Sequence, residues 1–218
     1  MAAVSGSIYL HKTKNDVVKI FIYYLWLTVI VETIGSYSRL MQYNYDLEWF
    51  IWLKNSPFCR NTWLYNIYTF LAIGVIGSFY AGLLENRIHK IIVRILIIAF
   101  SLFFIVYFTT SDAFFSRNLP YDNILATFVI VVYVILYFLE LIRSDVVSKF
   151  YKLPSFYISL ALLFWYLSVT PLFIFDEYHR AVNPNFNEFR YLLLLSINAI
   201  TYSCFTYGFL YSMRKRKL

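Results

Sequence analysis

Charge is scarce in this sequence. Asp, Glu, Lys and Arg together make up 14% of the 218 residues, whereas an average globular protein has about 25%. Hydrophobic residues account for 61%. This composition excludes an ordinary water-soluble fold, because too few polar side chains remain to cover its surface. It predicts a protein whose long apolar segments face lipid.

Cysteine is almost absent, and the two that occur are far apart in the chain. Cys59 falls in a predicted loop and Cys204 inside a predicted helix. Such a pair provides neither a disulfide framework nor the four ligands of a structural zinc site. The loop sequence at 176–180, Asp-Glu-Tyr-His-Arg, has suitable residue types for a metal, but its spacing matches no metal motif. We therefore expect no metal and no cofactor.

Catalytic signatures are also missing. The sequence contains no HExxH motif and no phosphate-binding glycine loop, and no predicted span combines Ser, His and Asp. A serine or cysteine nucleophile needs a nearby base. We therefore expect a non-enzymatic protein, and an intramembrane enzyme acting on a lipid ranks below the other hypotheses.

Six apolar segments are long enough to cross a bilayer, whose hydrocarbon core of about 30 Å requires about 20 helical residues. They cover approximately residues 17–37, 64–84, 91–110, 123–142, 155–175 and 191–212. The sequence predicts an all-α, polytopic membrane helix bundle with six transmembrane helices over residues 17–212. Residues 1–16 and 213–218 are predicted to be cytoplasmic tails, the second of them basic.

The basic residues predict the orientation. Of the 19 Lys and Arg residues, 13 fall in the two tails, in the loops on the same side as the tails, or in the first turns of the adjoining spans. Because cytoplasmic segments are enriched in Lys and Arg, both termini are predicted to be inside. This asymmetry also explains the net charge of +7 without nucleic acid as a partner. A bacterial cytoplasmic (inner) membrane is the simplest location.

A carboxylate in the first predicted span stands out. Glu32 shares a helical face with Tyr24, Thr28 and Ser36, at steps of four residues. Such a polar stripe is expected to point into the bundle. The remaining spans place other polar residues at matching depth, and Pro171 would kink the fifth span beside one of them. The predicted outer cavity is therefore lined by Glu32, Thr28, Ser36, Thr69, Thr170, Ser196 and Asn198.

Two interpretations of this cavity remain open. A buried Glu32 would carry or sense a proton or bind a cation, or it would hydrogen-bond Asn198 and the hydroxyls and hold helices together. The first favours a small channel or transporter for a proton, cation or small ligand. The predicted loops are too short to form soluble domains, so the principal hypothesis is a non-enzymatic sensor, anchor or accessory subunit that works with a protein partner or as a homo-oligomer. The channel or transporter is the alternative.

Three further patterns concern packing and the cytoplasmic rim. Arg94 and Glu140 lie at similar depth in neighbouring spans and predict an ion pair. His89 lies between Arg87 and Lys90 in a basic turn that favours contact with lipid phosphate. In the second span, small residues recur at steps of four and favour close approach within the bundle or, alternatively, dimerisation. They are Gly74, Ser78 and Gly82.

Overall fold

The computed structural model of the chain describes residues 1–40, 48–111, 114–115, 121–175 and 186–215. It is all-helical, with 91% helix and no strand within these ranges. The helices in chain order are α1 (Ala2–Thr13), α2 (Asp16–Gly35), α3 (Tyr37–Leu40), α4 (Glu48–Lys54), α5 (Thr62–Leu83), α6 (Arg87–Thr110), α7 (Tyr121–Arg143), α8 (Pro154–Ile174) and α9 (Phe186–Lys215). Short 3₁₀ segments cover Pro57–Cys59 and Asp145–Lys152.

Six of these helices, α2, α5, α6, α7, α8 and α9, are long and apolar enough to cross a membrane. This confirms the all-α class and the six predicted spans. Their bounds differ from the predicted ones mainly where a helix continues past the apolar run. α6, for example, begins at Arg87 because the Asn86 side chain caps its first turn by accepting a hydrogen bond of 2.8 Å from the Ile88 N–H.

The segment predicted as a polar tail instead forms α1, which packs along the first half of α2 and the last part of α9. Lys14 ends α1 in the left-handed conformation at φ 51°, and Asn15 caps α2, so the chain reverses within two residues. Gly6 lets the two helices approach closely, since a Cβ there would lie 3.0 Å from Ile22. Hydropathy missed this helix because small and polar residues form its buried face.

The two ends of the bundle differ in their connections. The α1 end contains the turns at 14–15 and 84–86 and the 3₁₀ segment Asp145–Lys152. The opposite end contains the short helices α3 and α4 and the turn Pro57–Cys59. Between the two ends the core is aromatic, with Phe21, Phe79 and Phe209 fully buried.

On α5, the closest packing of a neighbouring helix occurs one residue away from the predicted stripe of small residues. Gly74 has open space around it and Ser78 is exposed, although a Cβ at Gly82 would lie 3.1 Å from Val17. The tightest position on α5 is Gly77, where a Cβ would lie 2.6 Å from Ile97 and 2.9 Å from the Tyr133 hydroxyl. The packing face of α5 therefore runs through Gly77, which a search for four-residue steps from Gly74 does not select.

Candidate functional site

Glu32 lies in the last turn of α2, at the opposite end from α1. Its carboxylate Oε2 accepts a hydrogen bond of 3.1 Å from the Tyr65 hydroxyl of α5. Gly35 leaves room for that tyrosine, because a Cβ at Gly35 would lie 3.1 Å from the same hydroxyl. Glu32 was predicted to point into the bundle, but the structure places it on the exposed side, as it does Ser36. Thr28 and Tyr24 are the buried members of the stripe.

One turn deeper, three hydroxyl groups form a compact set, which we call the Thr28 cluster (Tyr24, Thr28 and Tyr68). The Tyr68 Oη lies 2.9 Å from Thr28 Oγ1 and 3.2 Å from Tyr24 Oη. Thr28 also donates to the Tyr24 backbone carbonyl at 2.9 Å. The cluster therefore joins α2 to α5 by side-chain hydrogen bonds.

Tyrosines from two more helices border the Thr28 cluster. Tyr202 of α9 lies near Tyr24, Glu32 and Tyr65, and Tyr166 of α8 lies near Tyr24 and Tyr202. Tyrosines from four helices thus lie near Glu32 or the Thr28 cluster. The sequence analysis included Tyr24, through its four-residue step from Thr28. It did not include Tyr65, Tyr68, Tyr166 or Tyr202, because they lie on other helices and no sequence pattern connects them to Glu32.

Among the described residues, none of the remaining predicted cavity residues hydrogen-bonds the Glu32 carboxylate. Thr170 hydrogen-bonds Thr127 of α7 and the Tyr166 carbonyl, and Asn198 accepts a bond of 2.7 Å from the Trp165 indole N–H. Thr69, Ser36 and Ser196 donate to carbonyls of their own helical turns. The predicted set therefore separates into individual helix-to-helix contacts and local hydrogen bonds. Asn198 pairs with Trp165 rather than with Glu32.

An aromatic layer lies directly below the Thr28 cluster. The Phe21 ring is 5.3 Å from Tyr24, 5.3 Å from Phe79 and 5.1 Å from Phe205, measured between ring centroids. These three phenylalanines are almost completely buried. The layer separates the polar residues of the Thr28 cluster from those nearer the α1 end.

Beyond that layer, a second group of tyrosines joins α5, α7 and α8. Tyr80 donates to Ser159 at 2.8 Å, and the hydroxyls of Tyr137 and Ser155 are also 2.8 Å apart. Tyr133 is completely buried, and its hydroxyl has no hydrogen-bond partner among the residues that the structure describes. A buried hydroxyl without a partner lowers the free energy of unfolding. Tyr133 therefore contributes to the packing of this group but loses part of that contribution through its hydroxyl.

Glu140 has a different partner from the one predicted. Its carboxylate accepts bonds from the backbone N–H of Glu85 at 2.7 Å and of Asn86 at 3.1 Å, and lies 2.7 Å from His89 Nδ1. Arg94 is exposed and forms no ion pair with any residue that the structure describes. The prediction of this ion pair considered only the depths of the two residues along their helices. The structure shows that the α5–α6 turn brings two free amides and an imidazole to Glu140 first.

Within the described ranges, no group of three or more His, Cys, Asp or Glu side chains is placed to hold a metal ion. Cys59 and Cys204 are both free thiols. The Asp-Glu-Tyr-His-Arg sequence at 176–180 lies outside the described residues. The arrangement around Glu32 offers hydrogen bonding and charge to a neighbouring group.

A scan against protein-family models, a search of curated proteins and a search of solved structures each found no match to this chain.

Proposed function

We propose that this protein is a non-enzymatic, multi-pass membrane module that acts as a sensor, anchor or accessory subunit together with a partner protein. The observation that carries this proposal is the position of Glu32, exposed on the side of the bundle and held by Tyr65. A charged side chain costs about 2.5–3.5 kcal/mol at the centre of a span on insertion scales, and Glu32, in the last turn of α2, bears a smaller part of that cost. A basic or hydrogen-bonding group of another membrane segment would remove that cost.

The hydrogen bonding inside the bundle supports the same proposal. The polar pairs Thr127–Thr170, Trp165–Asn198 and Tyr80–Ser159 each join two helices. Side chains committed to such pairs stabilise the bundle and are less available to a passing ligand. Recognition is then left to the exposed surface, where Glu32 lies.

For the orientation, we propose that both termini are cytoplasmic. Six crossings place both ends of the spanning region on one side of the membrane, and the excess of Lys and Arg in the tails and adjoining loops assigns that side to the cytoplasm. The α1 end of the bundle is then the inner end. A bacterial cytoplasmic membrane is the proposed location, on the same charge asymmetry.

Site-specific photo-crosslinking in native membranes tests the proposed partner contact. A photoreactive residue is placed at Val29, which is exposed and lies one turn before Glu32, and the matched control is placed at exposed Ile98 of α6. We expect a discrete protein adduct at Val29 that disappears in Glu32→Gln, and only lipid adducts at Ile98. Lipid adducts alone at both positions would contradict the proposal.

A second candidate function is conduction of a proton or small cation, and the hydroxyls that lead from Glu32 and Tyr65 toward the Thr28 cluster favour it. Flux into proteoliposomes distinguishes the two functions. A transporter predicts flux that Glu32→Gln reduces by about tenfold or more, as for loss of an essential intramembrane carboxylate. The control Glu188→Gln, an exposed acid at the start of α9, should leave flux unchanged. Absence of flux in the unmodified protein rejects conduction.

A further inference from the structure

The α6 helix is the least covered of the spanning helices. It packs only against α5 and α7 among the contacts between described helices that exceed a few residues. Its apolar window is 17% buried, whereas those of the other five range from 28% to 39%. One broad face of α6 is therefore in contact with the surroundings of the bundle.

That face carries two arginines among its apolar residues. Arg87, Ile91, Arg94 and Ile98 follow one another at steps of four, three and four, which places them on one side of the helix. All four are exposed. Ile95 and Leu102 extend the same apolar surface, with 57% and 59% of each residue accessible. We call this surface the α6 stripe.

Arg94 lies seven residues beyond Arg87, or about 10 Å further along the helix axis. At that depth it stands inside the span, although its long side chain can extend back toward the headgroup region. A guanidinium stays charged at any physiological pH. Arg94 therefore needs an anion near the boundary between headgroups and acyl chains.

The described residues do not provide that anion. Glu140, the nearest carboxylate along the sequence pattern, is occupied by His89 and by the amides of Glu85 and Asn86. Within the part of the chain that the structure describes, neither Arg87 nor Arg94 forms an ion pair. The occupation of Glu140 thus leaves the guanidinium of Arg94 available to a group outside the bundle.

We propose that the α6 stripe is a binding site for an anionic phospholipid, with Arg94 and Arg87 holding its headgroup phosphate and Ile91, Ile95 and Ile98 contacting an acyl chain. A guanidinium matches a phosphate by two parallel hydrogen bonds. The stripe carries two positive charges, and Lys90 adds a third beside it. This surplus of positive charge selects a lipid with net negative charge over a zwitterionic one. The site is independent of Glu32 and of the proposed partner contact.

Native mass spectrometry of the full chain, released from nanodiscs of equal parts phosphatidylglycerol and phosphatidylcholine, tests this site. We expect the retained lipid to be enriched in phosphatidylglycerol, and Arg94→Gln to lower that enrichment about fivefold, the change expected for one arginine contact at the membrane surface. Arg94→Lys should keep part of it, since charge remains and the paired hydrogen bonds do not. Arg143→Gln removes an exposed charge at the end of α7, on the same side of the bundle as Arg87. This variant should keep all of the enrichment.

Equal losses in Arg94→Gln and Arg143→Gln would overturn the proposal, because they would indicate general attraction of anionic lipid to a basic rim. No enrichment in the unmodified protein would also overturn it. A second measurement does not depend on the Arg94 variants being folded. A photoreactive residue at Ile91 should capture phosphatidylglycerol about threefold or more above its share in the nanodisc. Capture at the bulk ratio, or capture of a protein in native membranes, would overturn the lipid assignment.

Discussion

The two halves of the bundle use the same helices in different ways. Toward the α1 end, α2 and α9 are covered by α1, and residues such as Phe209, Tyr80 and Ser159 are completely buried. Toward the opposite end, the same two helices carry Glu32 and Tyr202, which remain partly or fully exposed. The difference shows that α1 closes one half of the α2–α9 side. The other half keeps polar groups exposed, where the proposed partner would contact them.

The largest expected effect comes from detaching α1. Tyr9 is 3% exposed and its ring lies 5.7 Å from that of Phe209. We expect Tyr9→Ala to lower the free energy of unfolding by about 3 kcal/mol, as for removal of a buried aromatic ring. Denaturation in detergent measures this loss. Labelling of a cysteine placed at buried Ala3 should become faster as α1 separates.

The control for Tyr9→Ala is Ile8→Ala, on the exposed side of the same helix. It should change stability by less than about 0.5 kcal/mol, as surface substitutions usually do. If both substitutions have the same small effect, α1 does not close the α1 half of the bundle, and the contrast between the two halves disappears.

The next largest effect concerns the close packing of α5. In Gly77→Ala the new methyl would lie 2.6 Å from Ile97 and 2.9 Å from the Tyr133 hydroxyl. We expect the free energy of unfolding, measured by denaturation in detergent, to fall by about 2 kcal/mol because of overpacking. Gly74→Ala is the matched control on the same helix, with nothing within 4 Å. It should be neutral or stabilising by about 0.5 kcal/mol, since alanine favours helix. Reversal of this order would show that the predicted Gly74 stripe is the packing face after all.

A moderate effect is expected from Glu140, which ties the α5–α6 turn to α7 at the α1 end. Glu140→Ala leaves the Glu85 and Asn86 amides and the His89 ring without their acceptor. We expect the free energy of unfolding to fall by about 1.5 kcal/mol. Arg94→Gln should leave the stability in detergent unchanged. A double-mutant cycle that finds coupling between Arg94 and Glu140 would restore the ion pair that the sequence predicted.

The smallest effect is expected in the opposite half. Tyr68→Phe removes one hydroxyl from the Thr28 cluster, and Thr28 keeps its bond to the Tyr24 carbonyl. We expect a loss of about 0.5–1 kcal/mol. Tyr80→Phe makes the same chemical change in the α1 half, where Ser159 is completely buried and would lose its phenol partner. It should cost more, and equal costs would indicate that both halves are equally closed.

Much of the bundle was predictable because each spanning helix is recognisable from a continuous apolar segment of the sequence. A span needs about 20 apolar residues whatever its neighbours are, so hydropathy alone located all six. α1 escaped that test, because its buried face consists of residues such as Ala3, Ser5 and Gly6. Those residues are recognised as a contact surface only when α2 and α9 are beside them.

The site was predictable only in part. The four-residue steps placed Thr28 and Glu32 on one side of α2, and that periodicity is a property of any helix. The rotation of α2 within the bundle decided that Thr28 is buried and Glu32 exposed. Matching depth also suggested Asn198 and Thr170 as neighbours of Glu32, but depth fixes one coordinate of three. Their partners are Trp165 and Thr127.

By itself, the sequence determined an all-helical protein with six helices long and apolar enough to cross a membrane, because burial in lipid imposes length and apolarity on each segment separately. Only the tertiary structure decided which polar groups meet. It assigned Glu140 to His89 and to the α5–α6 turn rather than to Arg94, and Glu32 to Tyr65 rather than to Asn198. Hydrogen bonds require distances near 3 Å and suitable directions, and these depend on how helices distant in sequence are rotated and packed.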